Sequence, residues 1–163
     1  MADGFLLALQ KGVRAALVAD AGVTALISTR LYDEPPQNVT FPYARFGGIE
    51  PLAFDTDTAE GALVSFTIEA YSRSASGRVE AAQIAEAIKA ALHRGESSIT
   101  LDDHHLVELI FETYSVTRDQ DGRGHTAIIA FQAMLEGGAS GLSQTDYGFV
   151  DTAAGDVFDM GSI

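Results

Sequence analysis

The chain has 163 residues, 47% of them apolar, and its 10 basic residues stand against 23 acidic ones, for a formal charge of −13. This size and apolar content predict one domain with a hydrophobic core. The acidic surplus argues against a protein that wraps DNA or an anionic membrane, because affinity there comes mainly from Lys and Arg, but not against one past which nucleic acid slides. The sequence shows no membrane-spanning apolar run, no signal-peptide pattern at its start, and no cysteine for a disulfide or thiolate site.

The first predicted element is a helix over residues 4–19. Apolar residues recur there at helical spacing, and Asp3 precedes them in the N-cap position. The break at residues 20–22 ends this helix. Residues 23–28 can add a short helical turn, and residues 30–33 follow as a brief strand.

A stiff connector comes next, over residues 33–42. Proline fixes its own φ, lacks an N–H and pushes the preceding residue towards extended geometry. Because this segment contains three prolines, it can be neither a helix nor a central strand. We expect an extended edge segment.

Two strands are predicted on either side of a loop in the middle of the chain. Residues 43–50 read as the first strand, in which Gly47-Gly48 indicates a bulge or a close backbone approach. Residues 51–61 begin with a proline, are acidic, and read as a loop. Residues 62–71 alternate between apolar and polar side chains, as is typical of a half-buried antiparallel strand. Its apolar face consists of Val64, Phe66, Ile68 and Ala70.

A second helix and a long hairpin complete the ordered pattern. An alanine-rich apolar stripe predicts a helix over residues 77–94. Residues 99–101 read as a short strand and residues 105–118 as a long one. Asp121-Gly122 is a hairpin signal, after which residues 123–136 return as the last strand.

These elements predict an α+β fold, with an antiparallel or mixed sheet, two helices packed on one face and a long C-terminal hairpin. The other sheet face carries Leu106, Ile110, Tyr114 or their neighbours, depending on the register. Two helices leave part of this sheet uncovered. An uncovered face or edge usually meets a partner chain.

The predicted domain covers residues 1–136, and residues 137–163 form a separate extension. The extension opens with a glycine-rich linker and contains no Lys or Arg. Its anchors are Tyr147, Phe149, Val150, Val157, Phe158 and Met160. We expect neighbouring subunits to hold it in place.

The sequence Asp102-Asp103-His104-His105 gathers carboxylates and imidazoles. On a strand, His104 and His105 point to opposite faces, so they cannot share a metal unless one lies in the turn. A polar turn before a strand is the favoured interpretation. His125 could complete a metal site with one of them, which keeps a metal-dependent enzyme open as an alternative.

The remaining candidate motifs are incomplete. Residues 55–57 and 119–121 imitate calcium loops but lack the later ligands of an EF-hand. Residues 122–124 lack the strand and helix that a phosphate cradle needs. Glu108 and Glu112 alternate on one strand face, where paired acids could act in acid–base catalysis, but such pairs more often mark a solvated or lumen-facing stripe. The sequence therefore predicts no catalytic, cofactor-binding or metal-binding residue.

Several stretches together resemble a known family. They are RLYD at residues 30–33 followed by prolines, PY at residues 42–43, YSR at residues 71–73 and the alanine-rich second helix. In this order and spacing, over residues 4–135, the chain resembles tail terminator, or tail completion, proteins of tailed phages and gene transfer agents.

The resemblance implies a structural protein and not an enzyme, without a cofactor. Its relatives form a ring, a hexamer, that ends the tail tube, joins it to the head-side connector or stopper protein, and lets DNA pass through the lumen. It also implies assembly in the bacterial cytoplasm, a place in the virion or gene transfer agent particle, and no membrane partner. The proline connector would then be positioned for subunit contact. A head–tail stopper or a tube subunit is the second interpretation. A small metal-dependent enzyme using His104, His105 or His125 is the third.

Overall fold

The computed structural model describes residues 4–55 and 60–137. Its elements in chain order are α1 (Phe5–Ala19), α2 (Ala21–Ile27), β1 (Leu31–Tyr32), β2 (Tyr43–Asp55), β3 (Glu60–Ser72), α3 (Val79–Leu92), a 3₁₀ turn (Glu96–Ser98), β4 (His104–Arg118) and β5 (His125–Gly137). The strands form one sheet in the order β1-β2-β3-β5-β4. β1 lies parallel to β2 and every other pair is antiparallel. The predicted α+β class and the C-terminal hairpin are confirmed.

The helices form one layer over the sheet. α1 buries Leu9, Val13 and Leu17, which recur every four residues on one side of the helix. A single residue separates α1 from α2, because the Asp20 carboxylate accepts a hydrogen bond from the Val23 N–H at 3.0 Å and caps the new helix. α2 is thus a third helix of seven residues, longer than the predicted turn. None of the helices in the described part of the chain is long and apolar enough to cross a membrane.

The core lies between the helices and the even-numbered residues of β3. Val64, Phe66, Ile68 and Ala70 are all buried, as the alternation predicted. The Phe131 ring stacks on Phe66 at 5.4 Å between ring centroids. Because α3 presents only small and aliphatic side chains to these rings, helix and sheet pack closely.

The prediction of a loop over residues 51–61 was wrong. β2 continues through Pro51 to Asp55, and β3 already begins at Glu60; residues 56–59 lie outside the described part. The Ala44 N–H points away from β3 and donates to Arg30 O on the β1 side. Because the bulge at Gly47-Gly48 adds one residue, the odd-numbered residues after it, including Pro51, have their backbone nitrogens on this outer side. A proline fits there because its missing N–H faces away from the ladder.

Bulges also explain why the predicted apolar stripe of β4 does not share one face. The register shifts between Leu106 and Glu108, and again between Phe111 and Thr113. Leu106 is consequently buried and Tyr114 packs against the core, whereas Ile110 lies on the opposite face. Each extra residue exchanges the two faces of the strand, which no alternation rule in the sequence reveals.

The predicted strand over residues 99–101 was also wrong. Ile99 and Leu101 are buried against α1, but only Leu101 forms a single bridge, to His104. At Gly12, in α1, a Cβ would overlap the Leu101 side chain. This close approach buries the segment as a connection beneath α1 rather than as a strand of the sheet.

Candidate functional site

One face of the sheet carries the helices, and the opposite face is open. We call the side chains on that side the open face. From one end of the sheet to the other, its cross-strand rows are Tyr43, Tyr71, Thr126 and Thr117; Arg45, Glu69, Ile128 and Ser115; Thr67, Ala130 and Thr113; Glu50, Ser65, Gln132 and Ile110; and Leu52, Leu63, Met134 and Glu108. No helix of the described residues packs on these rows, so a four-stranded surface is left to solvent or to a partner.

The centre of the open face is shallow and lined mostly by small, polar or acidic residues. A depression of about 200 Å³ is lined there by Gly48, Glu50, Ser65, Phe66, Thr67, Glu112, Ala130 and Phe131. Drug-sized ligands occupy deeper pockets, of roughly 300–1,000 Å³. The open face is therefore a surface for contact or passage rather than a small-molecule pocket.

The cations that reach the open face are already paired. Arg45 Nε lies 2.9 Å from Glu69 Oε1, and Arg94 Nη1 lies 3.0 Å from Glu108 Oε2. Within the described ranges, Glu50 and the other carboxylate of the depression form no ion pair. The face thus has negative charge left over and no free cation to hold a phosphate.

An aromatic cluster closes the end of the open face next to the proline connector. The Tyr43 ring stacks on Tyr71 at 4.9 Å and meets the edge of Phe41 at 5.1 Å. The Arg73 guanidinium lies 4.1 Å from the centre of the Phe41 ring. Arg30, the residue before β1, donates from Nε to the O of Pro42, the last residue of the connector, at 2.8 Å. β1 holds the start of the connector on β2 and these contacts hold its end, while most of its side chains remain exposed.

Titration in this cluster is displaced away from neutral pH. Burial, with a hydrogen bond to Glu69, raises the pKa of Tyr71 to about 12, and burial also raises the pKa of Tyr43. The hydrogen bond to Glu69 raises the pKa of Arg45 as well. Acid–base catalysis works best with a pKa near the working pH, so this cluster is built for packing.

The structure does not bring the candidate metal ligands together. The His104 ring lies 4.7 Å from the Phe5 ring on the helix side, and His105 is exposed on the opposite side. His104 pairs with Gly137, whereas His125 begins β5 at the other end of the sheet. Twelve residues of strand separate these ends by about 40 Å. Among the described residues, no group of three or more His, Cys, Asp or Glu could hold a metal ion.

The other candidate motifs are accounted for by turns and by the open face. Asp119 Oδ1 accepts from the Thr126 hydroxyl at 2.5 Å, and Asp121 Oδ1 accepts from the Arg123 N–H at 2.9 Å, so both carboxylates hold the hairpin. The first calcium-like stretch lies partly outside the described residues. Glu108 is held by its arginine at the sheet edge, and Glu112 stands in a bulge beside the depression.

Sequence reasoning missed the pairing that organises the open face. Arg45 and Glu69 are 24 residues apart, yet the β2–β3 register makes them direct neighbours. Tyr71 adds a 2.5 Å bond from its hydroxyl to the same carboxylate oxygen. Without the position of the bulge in β2, the sequence contained no signal for this pairing.

Comparison with known proteins agrees with this geometry. The family model "Tail completion protein gp17" matches residues 11–136. One chain of a solved structure titled "Virion of native gene transfer agent (GTA) particle" is 28% identical, with a TM-score of 0.74; the match covers 83% of this chain and 100% of that chain. A second solved chain is 16% identical with a TM-score of 0.46, over 78% of this chain and 94% of that chain. No curated protein matches in a sequence search. With its family model matched over most of its length, the chain belongs to the phage tail completion protein family.

Proposed function

We propose that this protein is a tail terminator: a ring, hexameric as in its relatives, that ends the tail tube and joins it to the head-side connector or stopper. Membership of the tail completion family supports the role of a structural tail protein. The observation that carries the finer proposal is the similar chain from a gene transfer agent virion, which is matched over its whole length.

The open face supports a role in an assembly. One face of an antiparallel sheet is often solvated, but this face also exposes large apolar side chains, Leu52 at 67% and Ile128 at 40%. Exposed apolar side chains on such a face favour contact with another subunit. Head-to-tail contacts between unlike surfaces generate a closed ring when the rotation closes. In such a ring this face can point inward or towards a stacked neighbour.

We propose further that the open face lines the lumen through which DNA passes. DNA is held mainly by cations that neutralise its phosphates. On this face Arg45 and Arg94 are already bonded to carboxylates, and Glu50 and Glu112 are unpaired within the described ranges. A wall of this composition repels a polyanion evenly and lets it slide.

The proposed assembly also assigns roles to the connector and to the C-terminal extension. The connector is fixed at both ends but exposed between them, which suits a subunit contact. Residues 1–136 act as the ring-forming domain. The extension after them, outside the described residues, contacts neighbouring subunits. Assembly takes place in the bacterial cytoplasm, and the ring stays in the neck of the finished particle.

Electron microscopy of particles assembled with and without this chain tests the proposal. A terminator predicts that its loss yields separate heads together with tails of uncontrolled length. Tails of normal, uniform length that fail to join heads would indicate a stopper instead. Complete absence of tails would indicate a tube subunit, and unchanged particles would refute all three structural roles.

A further inference from the structure

The outer edge of β2 is protected against pairing. β1 covers it at Ala44 and Arg45. A bulge at Gly47-Gly48 then interrupts the ladder, and Pro51 removes one outward donor. A short neighbouring strand, a bulge and a proline are devices with which proteins prevent an edge strand from recruiting another chain. A strand from elsewhere is therefore not expected here.

The first half of the β4 edge is closed by the segment after α3. Leu109 N–H donates to Glu96 Oε2 at 3.0 Å, and Leu109 O accepts from the Arg94 N–H at 2.9 Å. Phe111 N–H donates to His93 Nδ1 at 3.0 Å. These three bonds occupy outward backbone groups of Leu109 and Phe111, just before the second bulge of β4.

The second half of the β4 edge, residues 113–118, has no such cover. Asp119 N–H bonds inward to Gly124 O at 2.8 Å, so strict alternation turns the backbone groups of Tyr114, Val116 and Arg118 outward. No group within residues 4–55 and 60–137 bonds them. The sequence TYSVTR is rich in strand formers and contains no proline. An edge of this kind accepts an added strand.

We propose that this free β4 edge binds residues 147–152 of the C-terminal extension of a neighbouring copy, which add to the sheet as a further strand. The segment reads YGFVDT, in which Tyr, Phe, Val and Thr favour strands. Charge is complementary as well: Arg118 is exposed with no ion pair to a described residue, and the extension contains aspartates but no Lys or Arg. The family model ends at residue 136, before this segment, so the contact is an addition to the part of the chain that the family model matches.

The reach of the linker favours a neighbouring copy over the same chain. β5 ends at Gly137, and the level of Tyr114 on the sheet is that of Ile129, about 27 Å back along the strand. The nine residues 138–146 span at most about 31 Å when fully extended, whereas a glycine-rich coil of that length averages about 16 Å. Binding to the chain's own edge would thus require a nearly taut linker that also crosses the cover of the first half of β4.

Disulfide trapping between two full-length chains tests the contact, because the natural chain has no cysteine. Ser115→Cys, an exposed open-face position on the free edge, is mixed with Phe149→Cys or with Val150→Cys on a separate chain. Adjacent strand residues point to opposite faces, so one of the two should match. We expect disulfide heterodimers about tenfold above a control mixture with Gln83→Cys, an exposed position on α3.

Two results would overturn the contact. The first is the absence of heterodimers from both mixtures while the protein still oligomerises. The second is a disulfide that forms only within one chain when Ser115→Cys and Val150→Cys are combined. As a second measurement, amide exchange at Tyr114 and Val116 should be about tenfold slower in the natural chain than in Phe149→Asp/Val150→Asp. Equal exchange rates in the two proteins would overturn the contact, because the extension would then contribute nothing to the protection of this edge.

This inference depends on the proposed function only in requiring neighbouring copies, and the two can fail separately. A native mass that shows a ring, without heterodimers, would reject the strand contact and keep the ring. Heterodimers in a protein that never joins heads to tails would keep the contact and reject the terminator.

Discussion

Reversing the charge of the open face tests whether DNA passes along it. Glu50 and Glu112 are exposed, line the same depression and form no ion pair with a described residue. In Glu50→Lys/Glu112→Lys, two carboxylates become two ammonium groups, which changes the local charge by about four units per chain. The repelling wall becomes one that can neutralise phosphates.

The size of the effect follows from counterion release. If one phosphate contacts each subunit of a six-membered ring, about six charges are neutralised, and the logarithm of the affinity for DNA falls with a slope of about −5 against the logarithm of the salt concentration. Between about 50 and 200 mM salt, affinity for a short duplex should therefore fall roughly a thousandfold. The natural chain should show no measurable binding over the same range.

Fluorescence anisotropy with a labelled duplex measures this dependence. The matched control is Gln83→Lys/Ala90→Lys/Asp102→Lys, which adds the same charge at exposed positions off the open face. The control should bind DNA much more weakly, with a shallow salt slope. Equal binding by both variants, or no salt-dependent binding by Glu50→Lys/Glu112→Lys, would refute the assignment of this face to the lumen.

Three further predictions concern stability. Phe131→Ala removes a fully buried ring that stacks on Phe66, so the free energy of unfolding in urea should fall by about 3–5 kcal/mol. Gln132→Ala, at the next residue and on the open face, should change it by less than about 0.5 kcal/mol. Similar losses in both variants would contradict the packing described. Gly124→Ala places a Cβ against the Ser72 carbonyl oxygen and should cost about 1–3 kcal/mol, with an unchanged melting temperature as the contrary result. The pKa of Tyr71 is raised from 10.0 to about 12 in the folded state. The stability that the protonated phenol contributes to the fold is therefore intact below pH 10 and is lost as the pH rises from 10 towards 12. The natural chain should lose about 1–2 kcal/mol in that interval, after allowance for partial exposure of the ring, and Tyr71→Phe should lose less; parallel pH profiles would show that the phenol does not titrate as described.

Much of the fold could be predicted because its elements have regular periods. The apolar stripe of α3 and the alternation of β3 bury the expected side chains, for example Ile84 and Phe66. A local pattern was enough there, since each of these elements lies on one uninterrupted core face. The order and type of the long elements followed from that.

Two of the misses share one physical cause, the irregular edge strands of the sheet. Pro51 suggested a loop because the sequence does not reveal that its nitrogen faces outward from an edge strand. Leu106, Ile110 and Tyr114 would share one side of a regular strand, but the two bulges of β4 turn Ile110 to the side opposite the other two. The open face therefore had to be read from the register, and Arg45 and Glu69 could not have been paired from their spacing.

The sequence resemblance anticipated the family, which the match over residues 11–136 confirms. The proposed ring stoichiometry, lumen and neighbours depend instead on surfaces of the folded chain. Stoichiometry, lumen and neighbours are set by contacts between copies. A single chain shows only the surfaces available for such contacts, here an uncovered face and a free edge.

Native mass measurement of the purified full-length chain, alone and with tail tube protein, addresses the central claim directly, namely that copies of this chain assemble into a closed ring. The account predicts a closed oligomer of six copies, formed alone or on addition of tube protein. The account would be contradicted by a chain that stays monomeric under both conditions and whose amide exchange across β2 and β4 does not change when tube protein is added.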